Sequence, residues 1–221
     1  MDANTGHGFA IFMASVGTLR PIGLRRRLTR ALGLSLIPFI AIRKASKHQP
    51  MITTAYCRMM AEYNHWMNSR LYAICETLPV SDLHADRGAF FKSIYGTLNH
   101  IMFADLAFLS RFTGDPAVVP EINADLFGSF ERLYSERTKL DTRLLEWSET
   151  LSPAWLAETL SYKSKVDGLV RTFPKWVLVT HTFNHQTHHR GQVTNLLTQL
   201  GKDVGATDIP FMPHLQGISL A

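Results

Sequence analysis

The sequence predicts an all-α protein, a four-helix bundle with a small hairpin or extended excursion before the last helix. Four long stretches run at helical periodicity and end on clear stop signals: Pro79, Gly114-Asp115-Pro116, Pro153 and Gly201. The links between them are mostly short, as in a bundle of neighbouring helices. One segment alone, residues 154–173, changes texture to short β-prone runs around an Asp-Gly pair.

Each element follows in order. TTAYCRMMAEYNHWMNSRLYAICETL, Thr53 to Leu78, contains neither Gly nor Pro and reads as a long helix capped by Thr53 or Thr54. A polar stretch with Asp82, Asp86 and Gly88 reads as a loop. FFKSIYGTLNHIMFADLAFLSRF, residues 90–112, reads as the second helix. It is apolar almost all round, so it is expected to be the most buried. After a loop to Gly128, the amphipathic and charged SFERLYSERTKLDTRLLEWSETL forms the third helix. LAETLSYKS and LVRTF then flank Val166-Asp167-Gly168, the expected hairpin. KWVLVTHTFNHQTHHRGQVTNLLTQLG, residues 175–201, is the fourth helix, stopped by Gly201. The tail with IPFMPHL is expected to be extended.

Charge divides the chain unevenly. Residues 1–50 hold eight basic residues, Arg20 to Lys47, against Asp2 alone, and residues 51–221 hold 15 bases against 17 acids. The net charge of +5 therefore belongs to the first fifty residues, and no nucleic acid is expected as a partner of the body. Within the basic segment the apolar run ALGLSLIPFIAI is too short to span a bilayer and is broken by Pro38. Residues 1–50 read as a basic N-terminal extension, with three readings open: a targeting segment, a disordered or membrane-surface arm, and an upstream extension before a true start at Met51. No transmembrane segment is expected. Cys57 and Cys75 share the first helix ~27 Å apart, beyond disulfide reach, which fits a reducing compartment and a cytoplasmic location.

The chemistry-bearing stretch is HTFNHQTHHRGQV, with His181, His185, His188 and His189. On a helical wheel with His181 at 0°, the apolar stripe of Leu178, Val193, Leu196 and Leu200 centres near about 60–120°. His185 and His189 fall at about 40° and 80°, toward the core, with His181 and His188 on the stripe's edge. Two imidazoles one turn apart on one face form a platform for a transition metal. A third ligand must come from another helix. His100, His65, His84 and Asp105 are the candidates, and periodicity does not choose among them. Arg190 projects away from the pair and reads as a packing or interface cation. Gln192 is within reach of the pair, and Gly191 is expected to let a neighbouring helix approach.

NHQTHHRGQ, with its H-x-x-x-H-R-G-Q core, resembles the signature of the DinB/YfiT-like family of four-helix metal-binding proteins. TLNHIMFADLAFL resembles that family's second-helix motif, and AEYNHWMNSRL its first helix. The resemblance covers about residues 51–215. It implies a metal triad of His100, His185 and His189, with His188 not a ligand. His181 is then an outer donor or pocket residue, and Asp105 either orients a ligand imidazole or forms a salt bridge.

Three histidines leave coordination positions open, as in catalytic rather than structural sites. Zinc or nickel suits imidazole ligands. The stretch lacks the Glu of H-E-x-x-H, which excludes a zincin-type peptidase, and shows no Glu-x-x-His pairs of a di-iron bundle. The resemblance extends to thiol-using relatives. It implies a metal-dependent enzyme acting on a small-molecule substrate, thiol S-transferase-like or hydrolase-like, with a low-molecular-weight thiol as co-substrate and a homodimeric assembly. The alternative is a non-catalytic stress or DNA-damage-inducible protein in which the metal is structural.

Overall fold

The computed structural model describes residues 49–115, 124–165 and 167–216. The readings for the first fifty residues fall almost wholly outside them. The elements are α1 (Thr54–Glu76), α2 (Val80–His84), α3 (Ile94–Thr113), α4 (Phe130–Glu149), α5 (Pro153–Ala157), β1 (Thr159–Lys163), β2 (Val170–Pro174) and α6 (Lys175–Gln199). The four long helices pack in a ring, each on two neighbours: α1 on α4, α4 on α3, α3 on α6, and α6 back on α1.

The helix starts follow from hydroxyl caps. Thr53 accepts the Tyr56 N–H at 3.1 Å, Ser93 accepts Gly96 at 3.0 Å, and Ser129 accepts Arg132 at 3.3 Å. Ser93 also corrects the expected second helix. Its cap starts α3 at Ile94, and residues 90–93 form a turn instead, with Lys92 at φ 65° and its N–H bonded to Ala89. α3 is the most buried of the four long helices, as its apolar circumference predicts. Two further differences are short. Val80–His84 is helical rather than loop, packed by buried Leu83, and Ser152-Pro153 starts the extra helix α5. The hairpin forms antiparallel, with register from Thr159↔Pro174 to Lys163↔Val170.

A buried polar layer ties the helices together. Arg137 on α4 donates to Asp105 on α3 at 2.5 Å, and its other end nitrogen lies 2.6 Å from Asp141. Asp141 accepts the amides of Asn64 and Asn68 on α1, at 3.1 and 3.0 Å. Arg190 on α6 donates to the Asn64 carbonyl and lies over the Tyr63 ring. Every charged member is 3 % exposed or less. Two arginines against two aspartates leave the layer neutral, the condition for burying such groups. Arg190 is thus a core residue, because the side of α6 opposite the histidines faces α1 rather than solvent. Among the described residues no helix is long and apolar enough to cross a membrane.

Candidate metal centre

α3 and α6 pack side by side, and their contact brings His100, His185 and His189 together. One ring nitrogen from each lies within 4.8 Å of the others. The Nε2 atoms of His100 and His185 are 3.1 Å apart. Two imidazoles on a tetrahedral zinc would sit about 3.3 Å apart, given zinc–nitrogen bonds of about 2.0–2.1 Å. The pair is therefore already at a chelating separation.

Burial sets the protonation state. Loss of hydration pushes the His100 imidazolium down to about 3, with the neighbouring His189 adding to the effect. The same cause, with four surrounding histidines, takes His185 to about 2. His189 is lowered as well, again chiefly by burial, with the Gln192 hydrogen bond opposing. All three rings are neutral near physiological pH, and each then has one nitrogen lone pair free to bind a cation.

Gln192 selects which lone pair His189 presents. Its Oε1 lies 2.8 Å from His189 Nδ1, and its Nε2 lies 3.3 Å from His188 Nε2. The amide nitrogen can only donate, so His188 accepts and the proton between Gln192 and His189 sits on Nδ1. That leaves His189 Nε2 as the free donor atom, oriented by an outer hydrogen bond as metal-binding imidazoles usually are.

Aromatic rings complete the surroundings. Phe91 stacks on His100 with centroids 3.8 Å apart and meets His189 edge-on at 5.4 Å. It reaches them because Gly96 lets the 89–93 turn fold down onto α3: a Cβ there would lie 2.3 Å from the Phe91 carbonyl oxygen. Neither Phe91 nor Gly96 was singled out by periodicity. The Ser93 cap, which ejects Phe91 from the helix, was the signal available. His100 and His185 stay half-buried, and a cleft of about 290 Å³ with Arg87, Phe90, Gln192 and Asn195 in its wall adjoins the cluster through Gln192.

The other candidates go elsewhere. His188 is exposed, bonds Gln192 and meets the His189 ring edge-on at 4.8 Å. His65 on α1 is outside the cluster, and His84 on α2 packs on Tyr95 at 4.3 Å. Asp105 pairs with Arg137, so its role is the salt bridge rather than orientation of an imidazole. His181 is exposed, between His185 and Phe108. Gly191 is exposed with open space where a Cβ would be, so none of the described helices approaches it. That expectation is corrected: the close approach is at Gly96.

Two comparisons bear on this arrangement. Residues 51–220 match the family model described as DinB family. The chain is 27% identical over 156 residues to Protein DinB of Bacillus subtilis (strain 168), an alignment covering 66% of this chain and 87% of that protein. On the family match, which spans the whole helical bundle and its histidine cluster, the chain belongs to the DinB family.

Proposed function

We propose that His100, His185 and His189 bind one divalent transition metal, zinc or nickel, and that the protein is a metal-dependent enzyme acting on small molecules. One observation carries this reading. Three neutral imidazoles converge at a half-exposed point, and among the described residues no carboxylate or thiol joins them as a fourth ligand. A donor set of three with an open position is that of catalytic metal sites.

When bound, the metal supplies Lewis acidity at the open position, acidifying a thiol or water and polarising an electrophile. The chain's own residues do the rest. Gln192 holds the His189 Nδ1–H and aims Nε2 at the site. Phe91 covers the His100 ring and shields that side from water. His181 stands exposed one turn before His185, at the solvent side of the cluster.

The nucleophile is not a protein cysteine. Cys57 and Cys75 are both buried on α1, and burial pushes their thiols up to about 11 and about 12. A thiol reaction here needs a free low-molecular-weight thiol, and the family resemblance puts an S-transferase-like reaction first and hydrolysis second. Two reduced cysteines fit a reducing cytoplasm, and the family resemblance favours a homodimer.

The test is metal content per chain in untagged protein, for wild type, His189→Ala and His188→Ala. About one equivalent in wild type, lost in His189→Ala and kept in His188→Ala, is the expected pattern. A screen of thiols against electrophiles then follows. A wild-type chain that takes up neither zinc nor nickel ends the metal reading and the enzyme reading with it.

A further inference from the structure

An arginine with no acidic partner among the described residues sits along the same face of α3 as His100. Arg111 is eleven residues on, three turns away, and within about 20° of His100 around the helix. Its guanidinium lies in the corner between two rings, 5.0 Å from the centroid of Phe108 on α3 and 4.6 Å from that of Tyr162 on β1. The two rings stand at 71° to each other, 6.1 Å apart. Rings hold a cation's position by their faces but give its N–H groups no oxygen. A guanidinium has five such donors, and Arg111 makes no hydrogen bond or ion pair with any described residue. Burial pulls its guanidinium below the ordinary range, with Tyr162 opposing.

The neighbourhood leads from this cation to the histidine cluster. Phe108 meets His181 edge-on at 5.2 Å, and His181 lies 5.7 Å from His185. Ala104 and Ala107, on the α3 face between His100 and Arg111, are buried, so the route between the two ends runs over half-buried Phe108 and exposed His181. The other arginine beside Tyr162 is already satisfied, because Arg171 is paired with Asp167 at 2.7 and 3.0 Å. Among the described residues Arg111 is thus a single unneutralised charge, which suits a planar monoanion better than a phosphate dianion.

We propose that Arg111, Phe108 and Tyr162 form a carboxylate-binding subsite of the histidine centre, and that the substrate is an elongated carboxylic acid. Its reactive end lies at His100, His185 and His189, its apolar or aromatic middle along His181 and Phe108, and its carboxylate on Arg111. The backbone separation, about 16 Å at the helical rise, sets the scale of the molecule. The proposal rests on the metal-enzyme reading for the reactive end only; the anion subsite stands on its own geometry.

The experiment has two arms. In the first, the zinc-loaded full chain is titrated calorimetrically with ω-mercapto carboxylic acids of increasing length and with the matching mercapto alcohols. Acids bind at least about tenfold more tightly than alcohols, the value of a charge-assisted hydrogen bond, and longer members do best. The preference disappears in Arg111→Met and shrinks in Arg111→Lys, which keeps the charge but not the fork. In the second arm, the metal is stripped and octanoate or octanol is added. Octanoate alone shifts the Arg111 Nε–H resonance. Equal binding of acids and alcohols by metal-loaded wild type overturns the inference. So does an acid preference that persists in an Arg111→Met chain of unchanged melting temperature. A chain that takes up no zinc defeats the metal reading alone, and the octanoate arm then decides the carboxylate subsite by itself.

Discussion

Replacing Gln192 by leucine isolates the hydrogen bond that orients His189. The 2.8 Å contact from Nδ1–H to Oε1 would become charge-assisted once a cation sits on Nε2. Such bonds contribute about 1.5–3 kcal/mol, and Gln192 is half-buried, so water replaces part of what leucine removes. The lower end applies, and about 1.4 kcal/mol is a tenfold change in affinity. Gln192→Leu should therefore weaken zinc binding about tenfold. Gln192→Glu, whose carboxylate is a stronger acceptor for the same N–H, should match or exceed wild type. The assay is competition for zinc against a fluorescent chelator near neutral pH, with Gln199→Leu on the same helix as control. A Gln192→Leu chain within about twofold of wild type would refute the tautomer argument and leave Gln192 a bystander.

Arg137→Met leaves two carboxylates in the core, and removing one partner of a buried pair costs about 3–5 kcal/mol. Burial already holds the Asp105 carboxyl above the usual carboxylate range while Arg137 pulls it down. Without that pull its folded pKa rises further above the unfolded value. A carboxyl raised on folding favours the folded chain where it is protonated, and the benefit is lost as pH rises through the folded pKa. Urea unfolding should thus show a deficit that is smaller in mild acid than at neutral pH; a deficit below about 1 kcal/mol would contradict the buried-pair reading. Gly96→Ala puts a Cβ against the Phe91 carbonyl and should cost about 1–3 kcal/mol while unseating Phe91 from His100. Thermal unfolding and the loss of the ring-current shift on His100 report the two effects. Gly191→Ala meets open space on an exposed helical turn and should stabilise by about 0.5–1 kcal/mol in the same unfolding assay.

The buried polar layer and the histidine cluster use opposite sides of one helix. Seen from α6, His185 and His189 turn to α3, and Arg190 turns to α1. The layer locks α1, α3, α4 and α6 in register with hydrogen bonds that tolerate little sliding, and so holds the α3–α6 contact where the imidazoles meet. A loosened layer is expected to weaken the site without touching a ligand. Arg137→Met therefore deserves a zinc-affinity measurement beside its unfolding curve.

Properties confined to one segment were legible in the sequence. The long helices end close to their Pro and Gly signals, the Asp-Gly hairpin forms with Gly168 at φ 71°, and the i, i+4 spacing alone put His185 and His189 on one face. Short-range steric and capping rules act within a few residues, so a single segment displays them. Which partner each side chain meets was not legible there. Periodicity left His100, His65, His84 and Asp105 as equals, and only resemblance to a known family singled out His100. It read Arg190 as turned away from the site, with no sign that α1 would cover it. A wheel reports which side of a helix is apolar and says nothing about a second neighbour, and α6 has two. The Phe91 lid, the Asp105–Arg137 pair and the seat of Arg111 against the Tyr162 ring all depend on distances between segments far apart in the chain. Those distances exist only once the bundle has packed.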